Sequence, residues 1–174
     1  MGYIKLGFNI LILLFSSIIG FAFGDIYSKR ARNLLDLKYC IRVLESEIIN
    51  GIIPLPEALE NVSLKGRGSI ALVFKEIRDD LVTNQREDIY QSFILHKDVL
   101  KGRYGLSDKD IEVFLFLGKI LGKTDKRDQE KNMGFIISQI DNHYMEAKVE
   151  SEKHTKLYRS LGVLVGLGLI IILI

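Results

Sequence analysis

The 174 residues carry 24 Lys and Arg against 22 Asp and Glu, a formal charge of +2. That balance is too even for a nucleic-acid surface, which needs clustered cations. Two prolines, no tryptophan and few alternating apolar runs argue against a β fold and predict an all-α chain. The single cysteine, Cys40, excludes an intramolecular disulfide and fits a reducing compartment.

In chain order, Leu6 to Gly24 is uncharged, with Lys5 before it and Lys29, Arg30 and Arg32 after it. A run of about 19 residues is long enough to cross a hydrocarbon core. Ala22-Phe23-Gly24 resembles a signal-peptide cleavage site. The run is longer than the roughly 7–15 apolar residues of a signal sequence, and the cations after it resist translocation. An anchor is the expectation. Leu34, Leu37, Ile41, Leu44 and Ile48 follow at steps of 3 and 4, a seam on a helix continuous with the anchor. Gly51 is expected to close that helix in a left-handed cap, and Pro54 and Pro56 to open a short one carrying Leu55, Leu59 and Val62.

Ser63 to Gly68 reads as a loop, and Ile70, Val73, Phe74, Ile77 and Leu81 as the next apolar face. Ile89, Phe93 and Leu100 mark another helix. Ser107 and Asp110 make a capping box ahead of Ile111, Phe114, Leu115 and Leu121, with Gly118 allowing a close neighbour and Gly122 ending the helix. Asp125 is expected to cap a last helix with Met133, Ile137, Ile140, Tyr144, Ala147 and Ser151 on one face. From Asp125 to Ser160 that helix is roughly 54 Å long. It leads past Lys156 and Arg159 into an uncharged tail, Leu161 to Ile174. The tail is about 21 Å long against a core of ~30 Å, so it needs support from a neighbour or a thinned bilayer.

The expected organisation is an N-terminal transmembrane helix over 1–24, a cytoplasmic bundle of five to six helices over 25–159, and a short transmembrane helix over 160–174. Positive-inside counting puts both cationic flanks, and so the bundle, in the cytoplasm. Only Lys5 among the charged residues lies outside Asp25 to Ser160, leaving that domain 23 basic and 22 acidic residues. Ser16, Gly20 and Gly24 recur every four residues in the first membrane segment, and Gly162 and Gly166 in the last. Such spacing lets helix backbones approach in lipid, within one chain or between copies in a homo-oligomer.

Catalytic chemistry finds little support. Gly118 to Thr124 resembles a P-loop, but three residues separate its glycines instead of four and a helix precedes it where a strand is needed. His96, His143 and His154 lack ligand spacing, Asp108, Asp110 and Glu112 read as a solvated helix start, and no nucleophile–base pair stands out. No enzyme activity, metal or cofactor is expected.

Three blocks resemble the stage III sporulation protein AB family. They are Leu37-Lys38 with Leu44 to Ile48, Gly51 and Pro54; Gly118 to Asp125 with Gln129; and Tyr158 to Gly162 before a short apolar end. The matching positions include Glu45, Glu47, Gly51, Pro54, Gly118, Gly122, Asp125, Gln129 and Arg159. The resemblance implies a non-enzymatic membrane subunit of the secretion-like channel between mother cell and forespore. It implies a bundle similar to the platform protein F domain of type II secretion and type IV pilus systems. The partners it implies are stage III sporulation protein AA, a cytoplasmic secretion-type ATPase, and other stage III sporulation membrane proteins. The alternative is a coiled-coil signalling or receptor module dimerising through the Leu34 to Ile48 seam.

Overall fold

The computed structural model describes residues 2–83, 88–121 and 126–173. Its regular elements are all helical: α1 (Gly2–Glu45), a π-helical segment (Ser46–Asn50), α2 (Leu55–Lys65), α3 (Ala71–Thr83), α4 (Ile89–Tyr104), α5 (Asp108–Ile120) and α6 (Lys126–Leu173). The all-α expectation holds, and the first and last helices do run unbroken into the apolar segments.

The chain divides into two compact units, Arg32–Met145 and the pair Met1–Ala31 with Glu146–Ile174. These boundaries differ from the 1–24, 25–159 and 160–174 division drawn from hydropathy, because the paired unit takes in polar turns of both helices.

Within Arg32–Met145, α2 packs on α3, α3 on α4 and α4 on α5. Pro56 sits in the first turn of α2, where a missing N–H costs nothing, and the helix buries Ala58, Leu59 and Val62. It runs through Ser63, Leu64 and Lys65, where the sequence predicts a loop, and stops at Gly66. The Asp88 carboxylate accepts from the Tyr90 N–H to open α4. Gly105, at φ +68°, closes it in a left-handed cap, with the Leu106 N–H donating to the Leu100 carbonyl. The fully buried Phe114 ring of α5 lies 4.6 Å from Phe93 and 6.3 Å, edge-on, from Phe74. Each such ring contributes about 1.5–3 kcal/mol of burial.

Leu34, Leu37, Ile41 and Leu44 are completely buried, but the seam does not reach Ile48. The π segment holds one residue more than an α turn, so the buried position shifts by one and Ile49 takes it. The expected left-handed cap at Gly51 is also corrected. Gly51 is right-handed at φ −79°, and the next residue, Ile52, turns the chain at φ +53°.

A β-branched residue held there costs about 1–2 kcal/mol. Ile52 is 75 % exposed, so it loses little packing if truncated. Ile52→Gly is therefore expected to stabilise the protein by about 0.5–1 kcal/mol after the entropy cost of glycine. A raised denaturant midpoint would show this; a lowered one would mean the side chain makes stabilising contacts.

Candidate functional site

Among the described residues, no three His, Cys, Asp or Glu side chains gather in a metal-binding group. The concentrated chemistry lies in a helix pair and in two polar clamps.

The helix pair is built on small residues. A Cβ on Gly20 would stand 2.6 Å from the Tyr158 carbonyl oxygen and 3.0 Å from Gly162 Cα; one on Gly162 would stand 2.9 Å from the Ser16 carbonyl oxygen. Only glycine permits that approach. Ser16 Oγ donates to the Gly162 carbonyl, and Thr155 Oγ1 donates to the Gly24 carbonyl at 3.1 Å. Ser28 Oγ lies 2.9 Å from Ser151 Oγ and 3.4 Å from Thr155 Oγ1. Ser16, Gly20 and Gly24 thus meet the other helix, and the stripe continues to Ser28 and to Ser151 and Thr155, which the sequence reading did not assign to it. Gly166 is buried, whereas Gly168 has open space around it.

Aromatic rings occupy the polar end of this pair. Tyr27 stacks on His154 at 4.4 Å and on Tyr158 at 5.6 Å, Phe23 stacks on Tyr158, and the Arg159 guanidinium lies 4.9 Å from the Phe21 ring centre. Beyond the rings both helices are apolar, with mean hydropathy of 2.0 and 1.6 in their most apolar windows, of which 12 % and 6 % is buried. A soluble core helix of this composition would be mostly covered.

The first clamp was not foreseen. Asp110, read from the sequence as part of a solvated helix start, is fully buried in the capping box, where its carboxylate accepts from the Ser107 N–H at 2.8 Å. His143 of α6, expected in an ordinary surface or helix-flank role, brings Nδ1 to 2.9 Å from Asp110 Oδ1, an ion-pair distance without hydrogen-bond alignment. The only sequence signal was that His143 falls one turn after Ile140 and one before Ala147 on the buried face.

The second clamp is Glu47, in the π segment. Its carboxylate accepts from Lys65 Nζ and from Asn61 Nδ2, each at 2.7 Å. The Lys65 bond, more than the Asn61 bond, holds Glu47 below the usual carboxylate range. Of the other resemblance positions, Glu45 is half-buried at the end of α1, Pro54 precedes α2, and Gln129 is half-buried in the first turns of α6. Gly118 of α5 is buried against Phe93, 2.7 Å from where its Cβ would be. Gly122 and Asp125 lie outside the described residues.

Cys40 is fully buried, its thiol donating to the Arg67 carbonyl at 3.6 Å, and burial pushes its pKa to about 11. Because the folded value is raised, the stability gained by keeping the thiol neutral is full below its ordinary 9.0 and is lost as pH rises toward about 11. The native protein is expected to resist maleimide at neutral pH and to react once denatured. Rapid native labelling would contradict this burial.

The model of the family described as stage III sporulation protein AB matches residues 5–174. Stage III sporulation protein AB of Bacillus subtilis (strain 168) is 27 % identical over 157 residues, covering 88 % of this chain and 90 % of the relative. A solved structure of stage III sporulation protein AB (SpoIIIAB) superposes with a TM-score of 0.59 at 20 % identity, covering 71 % of this chain and 97 % of that one, a likeness of fold. With nearly its whole length matched, the chain belongs to the stage III sporulation protein AB family.

Proposed function

We propose that this sporulation protein is a non-enzymatic, membrane-anchored platform subunit of the secretion-like channel between mother cell and forespore. Both apolar helix segments lie in the mother-cell membrane, and Arg32–Met145 lies in the cytoplasm. The observation that carries the reading is how little the protein covers these segments: 12 % and 6 % of the two windows. Lipid is the medium in which such surfaces cost nothing. Lys29, Arg30 and Arg32 on one helix, and Lys156 and Arg159 on the other, favour the same cytoplasmic side.

The cytoplasmic unit docks the secretion-type ATPase stage III sporulation protein AA, as the family resemblance implies. Photo-crosslinkers on exposed positions of α3 and α5, such as Lys75 and Glu112, would test this in sporulating cells. An adduct with the ATPase supports docking. Adducts confined to other proteins across both helices would remove it. The coiled-coil receptor alternative is disfavoured, because Leu34, Leu37, Ile41 and Leu44 are already fully buried within one chain.

A further inference from the structure

Leu35, Lys38, Tyr39 and Arg42 stand at i, i+3, i+4 and i+7 of α1, on one side of the helix. Together with Arg67, from the turn that follows α2, they line a cleft of about 180 Å³. Tyr39 is 48 % exposed and Leu35 is half-buried, so the cleft joins apolar surface to three cations.

The turn that carries Arg67 is pinned to α1. The Cys40 thiol donates to the Arg67 carbonyl, and Arg67 Nε lies 3.1 Å from Asp36 Oδ1. Gly68, at φ +68°, comes so close that a Cβ would stand 2.2 Å from Asp36 Oδ2. Packing of the turn thus sets Arg67 beside the two cations of α1.

Charge in the cleft does not balance. Asp36 pairs with Arg67, and Asp141 of α6 pairs with Lys38. Arg42 is exposed and makes no ion pair among the described residues. The Arg32–Met145 unit as a whole has slightly more acid than base, so the uncompensated cation is local to this site. A carboxylate relieves the repulsion among the three cations and can take two hydrogen bonds from the Arg42 guanidinium. A free anion draws nothing from Leu35 and Tyr39, whereas a peptide can place an apolar side chain on them. Exposed Tyr and Arg side by side are also the residue types that dominate binding energy at protein interfaces.

We propose that this cleft docks an acidic segment of a partner protein, with a Glu or Asp carboxylate on Arg42 and an apolar side chain against Tyr39 and Leu35. Such docking depends neither on the membrane placement nor on the ATPase.

The test uses the full chain in neutral detergent and a rhodamine-labelled peptide of repeated Glu-Leu-Ser, read by fluorescence anisotropy. Wild type is expected to bind it several-fold more tightly than the Gln-Leu-Ser counterpart. Arg42→Gln should weaken the acidic peptide by about tenfold, and Tyr39→Ala by several-fold. Lys75→Gln, which removes an exposed cation on α3, should leave it unchanged. Equal binding of the two peptides, or an equal loss in Arg42→Gln and Lys75→Gln, would overturn the site. Displacement by inorganic phosphate more readily than by unlabelled peptide, at constant ionic strength, would overturn it in favour of a small anion. Self-association of the wild type that Arg42→Gln abolishes, with peptide binding unchanged, would overturn it in favour of a second copy of the chain.

Discussion

Asp110→Ala is expected to destabilise the Arg32–Met145 unit by about 2–4 kcal/mol, the cost of a lost helix cap together with that of a buried donor left without its acceptor. The carboxylate is fully buried, accepts from the Ser107 N–H at 2.8 Å and stands 2.9 Å from His143 Nδ1. Alanine opens the capping box at the start of α5, leaves the Ser107 N–H without its acceptor and removes the carboxylate that faces the His143 imidazole of α6. Losing the cap alone would cost about 1 kcal/mol. Asp110→Asn keeps the volume and one carbonyl acceptor, so it separates the two contributions; a penalty much nearer 1 kcal/mol would assign the remainder to charge. Hydrogen exchange of the α5 amides, followed in the full chain, reads the effect locally. Protection in Asp110→Ala equal to wild type would mean that the pair contributes nothing.

Gly20→Leu is expected to part the two apolar helix segments. The atoms a side chain would meet are backbone atoms, the Tyr158 carbonyl oxygen and Gly162 Cα, so no change of rotamer makes room. Overpacking costs about 1–3 kcal/mol where side chains can yield, and here the helices themselves must move. Interhelical hydrogen bonds in lipid average about 0.6 kcal/mol, so the bonds from Ser16 and Thr155 cannot restore the contact. Ser28 and Ser151, whose hydroxyls lie 2.9 Å apart, can be replaced by cysteines as a reporter. Oxidation should crosslink them efficiently in the otherwise native chain and poorly with Gly20→Leu. Undiminished crosslinking would show that the glycines do not set the approach.

Much of the helical framework was legible because it rests on local rules. Helical spacing marked Leu34, Leu37, Ile41 and Leu44 as one buried face, and Ser107 with Asp110 marked the start of α5. Legibility failed where one residue changes the register. The π segment moved burial from Ile48 to Ile49 and transferred the left-handed turn from Gly51 to Ile52, and nothing in the composition of Ser46–Asn50 announces a π turn.

The Asp110–His143 pair was missed for a different reason. An acidic residue in a first helical turn is ordinarily solvated beside the dipole. Its burial depends on α6, whose contacting residue is 33 positions away in the chain. The helix-pairing stripe was read only in its glycine-rich part. Ser28 continues it at the same spacing on α1, and Ser151 and Thr155 meet it from α6 three and two turns before Gly162, but as hydroxyls among charged residues they look like ordinary polar turns.

The central claim is that both apolar helix segments lie in the membrane with Arg32–Met145 on the cytoplasmic side. Site-directed labelling tests it most directly, because Cys40 is buried and supplies little background. A cysteine replacing Lys75, exposed on α3, would be treated with membrane-impermeant maleimide in intact sporulating cells. The account predicts no labelling until the membrane is permeabilised and full labelling afterwards. Labelling in intact cells would contradict it.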